Sequence, residues 1–502
     1  PNAQRKEIHE KFVIAVLASA VDVLQFTGTM SETTVSNGFL MRTRGLLRRA
    51  LQDVVSVASR DRSTPLRPDL PDDDLKLLRE RIDASLSGRG GEASARGNAA
   101  QLGRYYLDLN DDGRTRFFQL LAENYGVDGD GLTQAMDNVR TVEDNPAAYA
   151  RAVDRLREYL QPPRMHLFRQ FNSLSHGVKF LVDMRADLRG LLKNHPELRP
   201  VERELWSLLG GWFDAGFLEL RHVTWAAPAD LLEKLIAYEA VHEIRSWTDL
   251  KNRLESDRRC YAFFHPNMPD EPLIFVEVAL VDGMADNVQE LLDESAPSGD
   301  PENANTAIFY SISNAQQGLS GVSFGDFLIK QVVDDLSHEL PNLKTFATLS
   351  PIPGFRGWLD SRFEAGAELL NNDQQVRLAA LAGDTGDTPP LQALLDRPHW
   401  YQDEDTTAVL QPILFHLVAG YLLYQRRESS GTALDSVAHF HLSNGAQVER
   451  VNWLADRSER GMQQSAGMMV NYLYALDQIE DNHEAYVTGG EIPASNAVRN
   501  LL

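Results

Sequence analysis

Cysteine is almost missing from the 502-residue chain: Cys260 stands alone, which excludes an intrachain disulfide, a CxxC metal cage and a dithiol redox pair. A reducing compartment fits that usage. Basic residues are in deficit. The 49 Lys and Arg against 72 Asp and Glu leave a net charge of −23, and such a surface repels a phosphate backbone, so nucleic acid is not the expected partner. No apolar run of about 18 residues stands out as a bilayer span, so no membrane is expected either. The chain opens "PNAQRKEIHE" without an apolar h-region and ends "VRNLL" rather than Ser-Lys-Leu. These ends lead to the expectation of a cytoplasmic protein. What is present is ordinary: 43% hydrophobic and 24% charged residues match globular domains. The length allows two or three domains of roughly 100–200 residues.

Periodicity divides the chain near residue 205. Before it, "LLRERI", "TRFFQLLAENY", "AYARAVDRLREYL" and "VKFLVDMRADLRGLL" place apolar residues three and four apart, the stripe of amphipathic helices. The Gly/Ser-rich segment 85–100 reads as a connection between two helical halves. "DGDGL" (128–132) lacks the third oxygen ligand and the position-12 glutamate of a calcium loop, and reads as a turn and N-cap. After it come "CYAFFHP" and "PLIFVEVALV", two β-rich runs joined by a turn. "AIFYSIS", a glycine-bearing loop, the amphipathic helix "DFLIKQVVDDLSHEL" and the strand "FATLS" follow. Residues 360–430 turn helical again. "VAHFHLSNGAQVERVNWLA" reads as a closing hairpin with Asn444 and Gly445 in its turn, ahead of a last helix over 459–480. The expected fold is α+β: a helical domain over 1–205, then a domain over 206–502 with a mixed sheet and a helical insertion.

Two places could carry chemistry. In "FATLSPIPGF" the prolines at 351 and 353 forbid the strand to continue. Ser350 is therefore pinned at a strand end, as a capping group or as a reacting one. In "FYSISNAQQGLSGVSFGDFLIK" a glycine loop sits between a strand and a helix. Such a loop either simply turns the chain or lets backbone N–H groups and a helix N-terminus hold a phosphate. His439 and His441 would share one strand face, which invites a metal reading. No cysteine or acidic cluster nearby supplies further ligands. No metal is expected. Tyr474, in "NYLYAL", reads as helical core or as a residue reaching the site from a neighbouring element.

Taken together, "IFYSIS…QQGLSGV…FLIKQVV", "LSPIPGF" and "FHLSNGA…NWLAD" resemble the malonyl-CoA decarboxylase family, and with the helical half the resemblance covers most of the chain. It implies a GNAT-like catalytic domain, a homo-oligomer (dimer or tetramer) built through the helical domain, and conversion of malonyl-CoA to acetyl-CoA and carbon dioxide. It implies no metal, biotin or other cofactor, coenzyme A being part of the substrate. By the resemblance the catalytic serine falls on Ser350 and the catalytic histidine on His441. The coenzyme-binding loop falls on Ser320, Gly321, Val322, Ser323, Phe324, Gly325 and Asp326. Tyr474 and Asn444 are candidates for a supporting role. The chain departs from the general GNAT loop pattern at Ala315, and Ser323 stands where relatives can carry a glutamate.

The chemistry suits the pair, since loss of carbon dioxide from a malonyl thioester leaves an enolate whose carbon must be protonated. A histidine of ordinary pKa, about 6.5, can donate near neutral pH. Two other readings remain open: a GNAT-type acyltransferase with His441 as base, and a non-catalytic coenzyme A sensor.

Overall fold

The computed structural model describes residues 65–502 apart from 88–90, 214, 323–327 and 429. Among the described residues eight α-helices come first: α1 (Asp72–Leu86), α2 (Gly91–Asp108), α3 (Asp111–Asn124), α4 (Gly129–Thr141), α5 (Pro146–Tyr159), α6 (Pro163–Asn172), α7 (Gly177–Leu191) and α8 (Arg199–Gly210). Their apolar stripes meet in an aromatic centre where Tyr106, Phe117, Phe118, Phe171 and Phe180 pack edge to face. Segment 85–100 is not a simple connection. Most of it lies in α2, where the alanines of "GEASARGNAA" are good helix formers and burial of Ala99 and Ala100 offsets the cost of the two glycines. Asp128 stands at the N-cap of α4.

The remainder is built on a mixed sheet of β1 (Glu219–Val223), β2 (Arg258–Phe264), β3 (Ile274–Val281), β4 (Thr306–Asn314), β5 (Thr345–Thr348), β6 (Ser350–Pro351), β7 (Gln447–Asn452) and β8 (Met469–Leu473). The order is β1-β2-β3-β4-β5-β8-β6, with β7 also on β8. Among the described strands only β4 and β5 pair in parallel, from Thr306 opposite Thr345 to Phe309 opposite Thr348. There the pair stops while β4 runs on to Asn314. The β3–β4 ladder slips one residue between Glu277 and Val278, leaving Tyr310 extra on β4. A bulge of this kind bends its strand, and beyond Phe309, whose carbonyl still accepts Leu349 N–H at 3.0 Å, β4 runs on without β5 as a partner. One continuous apolar core joins the helical half to one sheet face, and two smaller cores cover the other face.

Helix α9 (Leu328–Glu339) follows the glycine loop. The insertion after the Pro351–Pro353 turn holds α10 (Phe355–Glu364), α11 (Asn372–Ala382), α12 (Pro390–Leu395) and α13 (Glu404–Tyr424). By length and composition α13 could cross a membrane, contrary to the sequence reading that no such run stands out. It is apolar here because Leu410, Leu414, Leu417, Val418 and Leu422 lie in the core.

The chain's end departs from expectation in two ways. Ser436–Ser443 is a helix, α14, not a hairpin strand. Asn444 and Gly445 close it rather than turn a hairpin: Asn444 Nδ2 donates to Phe440 O at 2.7 Å, and Gly445 takes φ +80°, the left-handed end that glycine tolerates. The expected helix over 459–480 is a short helix, α15 (Glu459–Ser465), followed by β8. Ala466 and Gly467, both at positive φ, break it, and the alternation of Val470, Tyr472 and Tyr474 then suits a strand.

Candidate functional site

Where β4 and β5 part, three elements converge. Thr348 ends β5, Ser350 starts β6 and pairs with Val470, and α14 carries His441 against them. Asp435 organises this meeting. Its buried carboxylate caps α14 by accepting from Val437 N at 2.9 Å and Ala438 N at 3.0 Å. It also accepts from Gly354 N at 3.2 Å and Tyr421 O–H at 3.3 Å. The turn after Ser350 and the helix bearing His441 are thereby fixed to one carboxylate, whose pKa burial raises while these donors oppose the rise.

A chain of hydrogen bonds runs through the site. Ser350 Oγ lies 3.1 Å from His441 Nε2. On the ring's other side, His441 Nδ1 lies 2.8 Å from the Tyr474 hydroxyl. Ser350 Oγ donates to Thr348 Oγ1 at 2.8 Å, and Tyr472 N donates to the same oxygen at 3.1 Å. The Tyr472 ring stacks on the imidazole with centroids 4.6 Å apart. All five residues are buried. Desolvation pushes the His441 pKa down to about 3 and carries the Tyr474 hydroxyl well above its usual range. His441 is thus a neutral imidazole near neutral pH, not the freely titrating donor expected from its ordinary pKa.

Ser350, His441 and Tyr474 are brought together. Tyr474 reaches Nδ1 from the end of β8 rather than from a helix. His439, two residues before His441 on a helix rather than a strand, faces elsewhere and meets the Tyr486 hydroxyl at 2.7 Å. Among the described residues no group of three or more His, Cys, Asp or Glu could hold a metal. Asn444 serves the end of α14. Sequence reasoning missed Thr348 and Tyr472, although the alternation through Tyr472 and Tyr474 was a signal for the latter.

Of the glycine loop, Ser320, Gly321 and Val322 are described; Ser323, Phe324, Gly325 and Asp326 lie outside the described residues. Ser320 and Val322 are buried, and Gly321 takes φ +76°. The helical half holds this loop from behind. Arg185 on α7 donates to Gly318 O at 2.7 Å, and Trp206 on α8 donates to Gly321 O at 2.8 Å. Glu202 holds Arg185 in turn at 2.6 Å.

The family model "Malonyl-CoA decarboxylase C-terminal domain" matches residues 216–502, and "Malonyl-CoA decarboxylase N-terminal domain" matches residues 125–213. The chain is 39% identical over 420 residues to "Malonyl-CoA decarboxylase, mitochondrial" of Anser anser anser, across 80% of this chain and 83% of that protein. The Rattus norvegicus protein of the same name is 38% identical over 426 residues, across 82% and 86%. The crystal structure of malonyl-CoA decarboxylase from Rhodopseudomonas palustris matches with a TM-score of 0.77 at 43% identity, covering 85% of this chain and 99% of that one. That from Agrobacterium vitis matches at 0.76 and 41%, covering 84% and 99%. With both domain models matched in order and relatives this similar along most of their length, the chain belongs to the malonyl-CoA decarboxylase family.

Proposed function

We infer that the protein is a carboxy-lyase converting malonyl-CoA to acetyl-CoA and carbon dioxide. The observation that carries this reading is the buried Ser350–His441 pair at the point where β4 and β5 part, in a chain of this family. The gap leaves one edge of β4 unpaired beyond Phe309, with backbone groups available to a pantetheine arm and thioester. The loop at Ser320–Asp326 is the proposed pyrophosphate cradle.

In the proposed reaction the bond between the α-carbon and the carboxylate breaks, carbon dioxide leaves, and the electron pair passes into the thioester enolate. His441 then supplies the α-carbon's proton. A neutral imidazole is acid enough for this, because a thioester enolate is a stronger base than the imidazolate left behind, and the negative charge passes from the enolate to the ring. Tyr474 holds the ring through Nδ1 and Ser350 aligns Nε2. The histidine regains its proton from solvent once product leaves, so one proton is consumed per turnover. The reaction needs no metal, biotin or nucleotide. The proposal includes a homo-oligomer, dimer or tetramer, in the cytoplasm, with neither nucleic acid nor membrane as partner.

Incubation with malonyl-CoA alone tests this. Carbon dioxide and acetyl-CoA are expected in equal amounts, at a rate EDTA leaves unchanged. Acyl transfer that requires an added amine would favour the acyltransferase reading, and binding without turnover the sensor reading. A rate abolished by EDTA and restored by zinc would overturn the metal-free mechanism.

A further inference from the structure

The sequence leaves open whether the Ser350 hydroxyl donates to the departing carboxylate or aligns the proton donor. Its neighbour on β5 bears on the choice. Thr348 is fully buried, and its Oγ1 accepts Tyr472 N–H at 3.1 Å. Asn471 Nδ2 holds the Thr348 carbonyl at 2.7 Å, so neither the strand nor the hydroxyl oxygen is free to shift. A hydroxyl oxygen accepts two hydrogen bonds. With one site taken by the amide, the other receives Ser350 O–H at 2.8 Å.

Ser350 has a single hydroxyl proton. Once that proton is directed to Thr348, Ser350 Oγ can only accept from His441 Nε2, 3.1 Å away. The proton of the neutral imidazole must then sit on Nε2. Nδ1 in turn accepts from the Tyr474 hydroxyl at 2.8 Å. The whole chain points one way, from Tyr474 through His441 and Ser350 to Thr348.

We propose that Thr348 is a positioning residue, whose hydroxyl sets the direction of this chain and so holds His441 as the Nε2–H tautomer with its proton at Ser350. Ser350 aligns the donor and does not donate to the substrate carboxylate. This rests on the reading of Ser350 and His441 as the reacting pair, and supplies what fixes their protons.

The wild-type tautomer can be read directly from imidazole nitrogen shifts of the full chain, labelled with 15N-histidine and studied by magic-angle-spinning NMR. The His441→Asn spectrum, lacking one signal pair, makes the assignment. A protonated Nε2 with an unprotonated Nδ1 is expected; the reverse would overturn the proposal without any Thr348 variant. Thr348→Val keeps the shape and removes the hydroxyl. It should lower kcat about tenfold, the usual scale of one lost hydrogen bond, leave KM within about twofold, and move proton density towards Nδ1. Thr348→Ser restores the acceptor and should recover most of kcat together with the wild-type tautomer. A serine variant as slow as valine would mean packing rather than the hydroxyl, and Thr348→Val with wild-type kcat would likewise sink the idea. If His441→Asn keeps full turnover, the reading of the pair fails, while the nitrogen shifts still decide the direction of the chain.

Discussion

Replacing Gly318 with alanine would place a Cβ 1.8 Å from the main-chain oxygen of Val182 on α7 and 2.6 Å from its carbonyl carbon. Real Cβ atoms essentially never come within 3.0 Å of a neighbour, and both contacts are backbone, so no rotamer relieves the clash. Helix α7 and the turn must separate by roughly an ångström, which close-packed interiors resist. Overpacking of this kind costs about 1–3 kcal/mol. The separation also stretches the bond from Arg185 to Gly318 O, and a hydrogen bond from a charged donor contributes about 1.5–3 kcal/mol. A loss of about 2.5–6 kcal/mol follows, lowering Tm by roughly 2–6 °C in a chain of 502 residues, whose unfolding entropy is about 1 kcal/mol/K. If the turn leads into the coenzyme cradle, displacement should also weaken coenzyme A binding by about tenfold or more, equivalent to about 1.4 kcal/mol. Scanning calorimetry reads the first effect and titration calorimetry the second. Gly321→Val is a companion that blocks backbone approach at the loop itself. A Gly318→Ala protein that melts like wild type would refute the close approach of α7. One that melts lower yet binds coenzyme A normally, alongside a normally binding Gly321→Val, would move the phosphate site elsewhere.

The His441 pKa of about 3 predicts that kcat/KM shows no inflection from this residue between pH 5 and 8; one near 6.5 abolished by His441→Asn would contradict a desolvated imidazole. The same depression acts on stability: the unfolded chain takes up the proton first, so stability should fall as pH drops from about 6.5 towards 3, by up to about 1.4 kcal/mol per unit. Calorimetric Tm against pH checks this, and His441→Asn should flatten the slope. His441→Asn should slow turnover about 10²–10⁴-fold with thioester affinity retained, and Ser350→Ala should slow it while keeping the fold. The double variant should be less damaged than the product of the single losses, and independent, multiplying effects would argue against a shared transition state. In solvent deuterium the wild type should label the methyl of acetyl-CoA.

Much of the architecture was legible because local and global preferences agree. The runs "CYAFFHP", "PLIFVEVALV" and "AIFYSIS" are β-rich, bounded by turn residues and buried as strands β2, β3 and β4. The helices of the first half carry their stripes openly. Failure came where a short element obeys two patterns at once. "VAHFHLSNGAQVERV" offers both an Asn-Gly hairpin signal and a helix with an Asn-Gly end. The deciding residue, Asp435, is a local N-cap signal, yet it also takes Gly354 N–H from 81 residues away. No window on the sequence contains that partner. Thr348 escaped notice for a similar reason: as the fourth residue of a buried strand it reads as β-propensity, and its role depends on Tyr472 N–H arriving from β8.

The protonation state of His441 lay further from reach, since it depends on burial rather than on residue type, and it changes what the site can do. A standing imidazolium beside the reacting carboxylate would hold the charge-localised ground state as firmly as anything that follows. A neutral imidazole between Tyr474 and Ser350 does not. As the carbon–carbon bond breaks in the proposed reaction, charge leaves the carboxylate and spreads into the enolate, so a neutral His441 favours the transition state over the substrate where an imidazolium would not. Burial strengthens that preference, because a localised charge loses more solvation than a dispersed one. In the proposed mechanism the stacking of Tyr472 on the ring and the hydrogen-bonded hydroxyls on either side therefore serve one end: they keep His441 uncharged until the enolate, a stronger base than anything in the resting site, takes its proton.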